Sequence, residues 1–301
     1  MSVRDYLLAG LGLVALMLVV VWGLAMRKRG GFVWPKPGEA GVGFITDFLD
    51  TLGIGSFAVT TSFYKFFRMV PDEKIPGTLN VGHTLPTILE ALIYIGIIGV
   101  DPRTLVLLIA SSVLGAWLGA GLVSRLPRRG VQIGMGGALV VAAALFIMAN
   151  LKGSTFGLSG TALGLTGARL WTGVAVNFCL GAVMTIGIGL YAPAMIMVSL
   201  LGMNPKAAFP IMMGSCAFLM PFASARFIRF DAYSLRSAIG LTLGGLPGVA
   251  IAAYIVKSLP LQDVRWLVVI VVLYAAWAML RSALQGRKNA SIDSASPAPT
   301  P

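Results

Sequence analysis

The chain has 301 residues, of which 57% are hydrophobic and only 11% are charged. This composition excludes a soluble domain of this size, and uncharged stretches longer than about 18 residues predict membrane-spanning helices. Alternation with the period of a strand is absent, which excludes a β-barrel. The formal net charge of +12 resides in short basic clusters between apolar runs, which indicates cytoplasmic loops rather than nucleic-acid binding.

The first apolar stretch, residues 6–26, carries no charge and is followed directly by Arg27, Lys28 and Arg29. Its length and the lack of a small-residue cleavage site predict a retained membrane span rather than a signal peptide. A polar connector with Pro and Gly follows. Residues 1–40 are therefore interpreted as an N-terminal transmembrane helix with a basic cytoplasmic connector.

Two apolar segments, residues 41–70 and 173–201, are each interrupted near the middle by two glycines one residue apart. An unbroken helix of thirty residues would rise about 45 Å, which exceeds a hydrocarbon core of about 30 Å. Each segment is therefore predicted to form two half-helices that meet at the break, with a long kinked helix as the alternative. The glycine pairs are Gly53 with Gly55 and Gly187 with Gly189.

Each broken segment is followed by three apolar stretches of spanning length. They cover residues 77–100, 104–124 and 131–151 in the first half, and residues 205–226, 232–256 and 264–284 in the second. The resulting division is repeat 1 at 41–151, an inter-repeat loop at 152–170 and repeat 2 at 171–285. The polar residues 286–301, rich in Pro, Ser and Ala, predict a disordered tail.

Landmarks of the first half recur in the second in the same order, at offsets between 130 and 135 residues, which indicates an internal duplication. The matched landmarks are the Gly pairs, Pro76 and Pro210, Pro86 and Pro221, Asp101 and Asp231, and Leu126-Pro127 and Leu259-Pro260.

The distribution of Lys and Arg residues distinguishes two topologies, in which the broken segments either re-enter the membrane from one side or span it. Re-entrant hairpins place a larger excess of them on the cytoplasmic face than spanning segments would. Three spans plus a hairpin make an odd number of crossings, so the second half is inverted. The predicted fold is an all-α polytopic membrane protein with two inverted repeats, each a broken, re-entrant helical hairpin plus three spanning helices, and one extra N-terminal span. Such repeats are typical of secondary transporters.

The two halves, each opening with a Gly-x-Gly break and continuing with a Pro-containing segment, resemble the sulfite exporter TauE/SafE family over residues 41–285. The chain departs from the family's Gly-x-Gly-Gly-Gly run by having Ser56 in place of a glycine, whereas Pro193 of the second half is kept. The resemblance implies export of small sulfur-containing or organic anions, such as sulfite or sulfonates, across a bacterial inner membrane.

The breaks are predicted to hold the anion, because the first turn of a half-helix offers free N–H groups and the positive end of a dipole. These donors belong to residues 56–61 in repeat 1 and to residues 190–194 in repeat 2, and purely structural breaks are the alternative. The predicted substrate-binding residues are Gly53, Gly55, Ser56, Thr60, Thr61, Asn80, His83, Thr84, Gly187, Gly189, Tyr191, Ser215 and Cys216.

Ionisable residues inside membrane segments are costly, and are therefore functional candidates. His83, Thr87 and Glu90 are spaced by four and three residues and share a helix face, while Asp47 and Asp50 precede the first break. Asp50, His83 and Glu90 are predicted to couple transport to an ion. The alternatives are a histidine satisfied by a neighbouring carbonyl and an Asp47 close enough to the cytoplasm to be wet.

Cys179 and Cys216 lie in apolar segments and predict small buried side chains rather than a disulfide. With a single histidine, no metal or other cofactor is expected. An anion channel with re-entrant pore hairpins is the alternative to a carrier. An intramembrane enzyme using His83 and Ser215 is disfavoured, because no hydrolase or metalloprotease motif is present. The predicted partners are a small anion and the lipid bilayer; homo-oligomerisation, transport direction and coupling ion stay open.

Overall fold

The computed structural model describes residues 2–123, 128–152, 160–184 and 189–295, and within these ranges the chain forms α-helices and no strand. Short 3₁₀ turns at Asp72–Lys74 and Pro205–Ala207 precede two of the helices. The helices are α1 (Val3–Lys28), α2 (Pro37–Thr51), α3 (Ser56–Phe67), α4 (Ile75–Ile97), α5 (Pro102–Val123), α6 (Arg128–Lys152), α7 (Gly167–Met184), α8 (Tyr191–Leu200), α9 (Ala208–Arg229), α10 (Leu235–Ser258) and α11 (Leu261–Ala295).

Five helical stretches of the described chain are long and apolar enough to cross a membrane, which indicates a multi-pass membrane protein. Four coincide with predicted spans, and the fifth, α7, was predicted as half of a broken segment. α4 has spanning length but carries buried polar side chains such as His83 and Glu90. The five stretches are Val3–Lys28, Gly167–Met184, Pro205–Arg229, Leu235–Ser258 and Gln262–Leu284.

The first predicted break is confirmed between α2 and α3. Gly53 and Gly55 have φ angles of 93° and 92°, in the left-handed region where a side chain would be strained. Beside the break, the Ser56 N–H donates to the Asp50 carboxylate at 2.6 Å. Farther from it, Val42 of α2 and Tyr64 of α3 belong to one buried cluster. Contacts at both ends therefore show that α2 and α3 fold back on each other as a hairpin.

The second break is only partly described. α7 ends at Met184 and α8 begins at Tyr191, so the helix is interrupted where the glycine pair predicts it. Gly187 lies outside the described residues. Gly189 is exposed, and nothing lies within 4 Å of the position that a Cβ would take there.

Helix packing repeats between the two halves. α2 packs most extensively against α10 and α7 against α5, while α4 packs against α9 and α6 against α11. If α2 is matched with α7, α5 with α10, α4 with α9 and α6 with α11, this pattern of neighbours maps onto itself. Each of these helices of the first half of the sequence therefore has neighbours that match those of its counterpart in the second half.

Individual contacts repeat as well. A Cβ on Gly248 of α10 would lie 2.5 Å from the Phe44 carbonyl oxygen of α2, and Gly115 of α5 makes the same close approach to the Phe178 carbonyl of α7. The numbers in α7 are those of α2 plus 134, and the numbers in α10 are those of α5 plus 133. Glycine thus lets both helix pairs approach to backbone contact at equivalent points.

The same two offsets relate further contacts that differ in chemistry. Asp47 packs against Gly245, and at the matching place Gly181 packs against Ser112. Likewise, the Leu241 carbonyl faces Gly43, whereas the matching Leu108 carbonyl accepts a 2.6 Å hydrogen bond from Asn177, at the position that matches Gly43. The two interfaces thus have contacts at matching sequence offsets, and the polar residues at these contacts differ.

The N-terminal helix α1 packs against α4 and α9. Its C-terminal end is fixed by Arg29, which forms an ion pair with Asp231 and lies 4.7 Å from the centre of the Tyr233 ring. The Tyr233 hydroxyl also accepts from Trp22 Nε1 at 3.2 Å. These contacts tie α1 to the turn between α9 and α10.

Three expectations differ from the structure. α11 continues to Ala295, so residues 286–295, which were expected to form a disordered tail, are helical; an existing helix extends readily into residues such as Arg287 and Lys288. α7 begins at Gly167, so the inter-repeat loop ends before residue 170. Both cysteines are free thiols, but Cys179 is exposed on α7 rather than buried.

Candidate functional site

Buried ionisable side chains collect beside the first break. Asp47, His83 and Glu90 are 0% exposed and Asp50 is 3% exposed. We call these four residues the acid–histidine cluster. α2 supplies the two aspartates, and α4 supplies the histidine and the glutamate. The predicted ion-coupling residues therefore come together, and Asp47 joins them because it is buried rather than wet.

His83 joins the two half-helices of the hairpin. Its Nδ1 lies 2.7 Å from Asp47 Oδ1 on α2, and its Nε2 lies 3.0 Å from Thr60 Oγ1 on α3. The single Thr60 hydroxyl proton is donated to the Ser56 carbonyl oxygen at 2.9 Å, so Nε2 is the donor to Thr60. One further proton is then shared between His83 Nδ1 and Asp47 Oδ1. The histidine is thus satisfied by a carboxyl group and a hydroxyl rather than by a carbonyl.

Glu90 is linked to α2 through Thr51. The Thr51 hydroxyl lies 2.7 Å from both the Asp47 carbonyl oxygen and Glu90 Oε1. A hydroxyl has one proton, so it cannot donate to both oxygens. If Thr51 donates to the Asp47 carbonyl, as its position one turn later favours, a proton on Glu90 completes the second bond.

Tyr191 connects the first break with the second. It is the first residue of α8, and its hydroxyl lies 3.5 Å from Asp50 Oδ2 and 3.5 Å from Glu90 Oε2. Gly53 also faces Met195 of α8. The first break therefore lies against the N-terminal part of α8, where the Tyr191 hydroxyl faces both Asp50 and Glu90.

The cluster is rich in acid. Among the ion pairs of the described residues, the one that reaches it is that between His83 and Asp47. Three ionised carboxylates beside one imidazolium would leave an excess of negative charge in an environment of low dielectric, which is expensive. Binding of protons or of another cation relieves this cost. No group of three or more His, Cys, Asp or Glu side chains in the described ranges is arranged to hold a metal ion.

Several of the predicted anion donors of repeat 1 are already engaged. The Ser56 N–H at the start of α3 is bound by the Asp50 carboxylate, which occupies the place predicted for a substrate anion. Thr60 and Thr61 donate their hydroxyl protons to carbonyl oxygens one turn earlier. Asn80 likewise bonds the Pro76 carbonyl at 2.9 Å. In the described state, the first break holds its own anion.

The other predicted residues divide between the two halves. Thr84 of α4 lies 2.8 Å from the Ser224 hydroxyl of α9 and joins the central helix pair. Ser215 donates to the Ile211 carbonyl at 2.8 Å, and the Asn177 amide lies 3.4 Å away from the Ser215 hydroxyl. The Cys216 thiol faces the Met184 sulfur at 3.7 Å. Ser215 and Asn177 lie at the α7–α9 interface, whereas the Cys216 thiol also interacts with the Tyr191 hydroxyl, beside Asp50 and Glu90.

The start of α8 differs from the start of α3. No side chain caps α8, whereas a carboxylate caps α3. The residues at the positions of Asp47 and Asp50 in the second half are Gly181 and Met184, so no acid is available there. In the first turn of α8, Pro193 has no N–H and the Ala194 N–H donates to the Leu190 carbonyl oxygen at 2.9 Å, so the N–H groups that could serve an external acceptor are those of Tyr191 and Ala192.

Sequence reasoning missed several members of this site. Thr51 is adjacent to Asp50 and one turn from Asp47, a spacing that predicts a shared face. Asn177 is an amide in an apolar segment, which is itself a signal for a buried partner. Tyr64, whose buried hydroxyl has no hydrogen-bond partner among the described residues, gave no such signal, because an aromatic residue in a membrane helix is ordinary.

Comparison of the chain with protein-family models, with curated proteins and with solved structures gives no match. The resemblance to the TauE/SafE family therefore stays a prediction from the sequence.

Proposed function

We propose that this protein is a proton-coupled secondary transporter that exports small sulfur-containing or organic anions, such as sulfite or sulfonates, across a bacterial inner membrane. The observation that carries the proposal is the buried acid–histidine cluster. It lies at the first helix break and contacts Tyr191, the first residue of α8 in the second broken segment. Intramembrane acids at broken helices are typical of ion-coupled carriers. The resemblance to the TauE/SafE family supports the class of substrate.

Two inverted repeats are part of the proposal. The hairpin of α2 and α3 and the matched contacts of α2 with α10 and of α7 with α5 support it. An odd number of crossings in each half then gives the halves opposite orientations. In inverted-repeat carriers, substrate and coupling ion bind where the broken helices meet.

The two breaks have different roles in this proposal. The first break binds protons, because all four residues of the acid–histidine cluster lie beside it and because Asp50 already binds the Ser56 N–H at the start of α3. The second break binds the anion at the start of α8, where Gly189 leaves open space and no side chain caps the helix. An anion there accepts hydrogen bonds from N–H groups and is favoured by the helix dipole.

Coupling follows from the closeness of the two sites. An anion at α8 and ionised carboxylates at Asp50 and Glu90 repel each other, and Tyr191 lies between them. Proton binding to the carboxylates removes this repulsion, so each ligand favours the binding of the other by the same factor. Transport then carries anion and proton together, and net export occurs when the outward gradient of the anion exceeds the inward gradient of protons.

The experiment measures uptake of ethanesulfonate, which keeps one negative charge at all pH values used, into liposomes containing the purified protein. A saturable uptake driven by an imposed pH gradient is expected. Glu90→Gln should lose accumulation against a gradient but keep downhill exchange. Asp72→Asn, which changes an acid with 76% exposure outside the cluster, is the matched control and should behave as wild type.

Three results would contradict the proposal. Ohmic current without saturation would support the anion channel instead. Accumulation driven by sodium rather than by a pH gradient would show that the coupling ion is wrong. Failure of sulfite, ethanesulfonate and other small anions to be carried, while neutral solutes are, would exclude the substrate class.

A further inference from the structure

A groove of about 630 Å³ lies on the surface where three helices begin. Val3 is the first residue of α1, Pro102 is the first residue of α5, and Trp171 lies near the start of α7. α1 and α7 are long and apolar enough to cross a membrane. The ends of such helices lie at the level of the lipid headgroups, so the groove lies at one boundary of the membrane. The acid–histidine cluster uses none of its residues.

The floor of the groove is apolar. Val106 and Leu107, which lie about one turn farther along α5 than Pro102, are half-buried in it. At its mouth, the Trp171 side chain is 61% exposed. An indole ring at headgroup level is typical of membrane proteins, because it combines an apolar body with an N–H donor. The groove therefore fits an acyl chain below a polar headgroup.

Two charged side chains of opposite sign line the same groove. Asp101 directly precedes α5, Arg103 is the second residue of this helix, and both are exposed. None of the ion pairs of the described residues involves either of them. Arg4, which follows Val3 on α1, instead donates to the Gly96 carbonyl oxygen. The groove thus offers one cation and one anion to a ligand.

The position of Asp101 is fixed by the chain around it. Its N–H donates to the Leu163 carbonyl oxygen at 2.7 Å, and its Oδ1 accepts from the N–H and the hydroxyl of Thr104 at 2.8 and 2.9 Å. Thr104 Oγ1 in turn accepts from the Leu165 N–H at 2.9 Å. None of the hydrogen bonds of the described residues uses Asp101 Oδ2, so this oxygen is available to a ligand.

We infer that this groove binds one molecule of phosphatidylethanolamine, with the lipid phosphate on Arg103 and the ammonium group on Asp101 Oδ2. The headgroup carries one negative and one positive charge, which match the two side chains. Arginine donates charge-assisted hydrogen bonds to a phosphate, and a carboxylate accepts them from an ammonium group. The exposed Trp171 ring offers a face that attracts the same ammonium group. Phosphatidylglycerol lacks this group, and its net negative charge is repelled by Asp101.

The test measures lipid binding and does not depend on the transported solute. The purified protein in non-ionic detergent is titrated with dioleoyl phosphatidylethanolamine or dioleoyl phosphatidylglycerol, and bound lipid is counted by native mass spectrometry. Wild type is expected to bind phosphatidylethanolamine about fivefold more tightly, the factor that one charge contact at a membrane surface provides. Soluble glycerophosphoethanolamine, which has the headgroup without acyl chains, should bind far more weakly.

Two variants separate the two charges. Arg103→Gln should weaken the binding of both lipids by about fivefold. Asp101→Asn keeps an acceptor for the Thr104 N–H, because Asn caps helices as well as Asp does, and it should remove the preference between the lipids. The control is Arg236→Gln. This exposed arginine follows the turn that binds the C-terminal end of α1, opposite to the groove, so both affinities should stay unchanged.

Equal binding of the two lipids by wild type would overturn the inference, as would an unchanged preference in Asp101→Asn or an equal loss in Arg236→Gln. Binding of the soluble headgroup compound as tight as that of the lipid would also overturn it, because the groove would then hold a soluble phosphate ester. Each of these results concerns the lipid alone and leaves the proposed transport function standing.

Discussion

Asp50 provides a test that separates the structural role of its carboxylate from its charge. The Ser56 N–H donates to Asp50 Oδ1 at 2.6 Å, and both residues are buried. Asp50→Ala removes the acceptor and leaves this N–H unpaired, which should lower the free energy of unfolding by about 1–3 kcal/mol. Asp50→Asn keeps an oxygen in the same place and removes a buried charge, so its stability should stay within about 1 kcal/mol of wild type.

Thermal unfolding in detergent, followed by the loss of helical circular dichroism, measures the difference. For a chain of 301 residues, 1 kcal/mol corresponds to a shift of at most about 2–4 °C in Tm, so Asp50→Ala should melt roughly 2–12 °C below wild type. Asp50→Asn should melt near wild type and still fail to couple uptake to a pH gradient. The reasoning is refuted if the two variants are destabilised equally, or if Asp50→Ala is as stable as wild type.

Three further predictions concern packing and the fixing of α1. Gly115→Ala and Gly248→Ala should both destabilise the protein, by about 1–3 kcal/mol, and Gly115→Ala should do so more because its carbonyl neighbour is closer; equal or raised Tm values would contradict the matched packing. Thr84→Val loses the hydrogen bond to Ser224 and should lower the free energy of unfolding by about 0.6–1.7 kcal/mol, which is measured as a lower Tm. An unchanged Tm would mean that the two hydroxyls are not paired. Arg29→Ala should cost about 0.5–2 kcal/mol, less at high salt; a salt-independent loss would exclude the ion pair as its cause.

The helices could be predicted closely because their signals are local. Apolar length and the position of Gly and Pro give α10 at residues 232–256, against Leu235–Ser258 in the structure. The break at Gly53 and Gly55 follows from the same kind of signal. The pairing of α2 with α10 could not be read in this way, because it depends on side-chain fit between residues that lie far apart in the chain.

The ionisable members of the candidate site were predictable, whereas their partners, such as Thr51, were not. Asp50, His83 and Glu90 stand out because ionisable residues are rare in apolar segments. That Asp50 would bind the start of α3, in place of a substrate anion, depends on the turn between them, which brings position 50 back to Ser56. The Tyr64 hydroxyl is buried without a hydrogen-bond partner, and no sequence pattern reveals this.

The contact between Asp47 and Gly245, and the contact between Gly181 and Ser112, show why an acid is accommodated at only one of these two places. The room for the Asp47 carboxylate exists because its neighbour has no side chain. A Cβ at position 181 would instead lie 2.0 Å from the Ser112 carbonyl oxygen, a backbone atom that no substitution of residue 112 removes. An aspartate at position 181 would therefore require α5 and α7 to move apart, so side-chain replacement alone cannot transfer the acidic chemistry to this place.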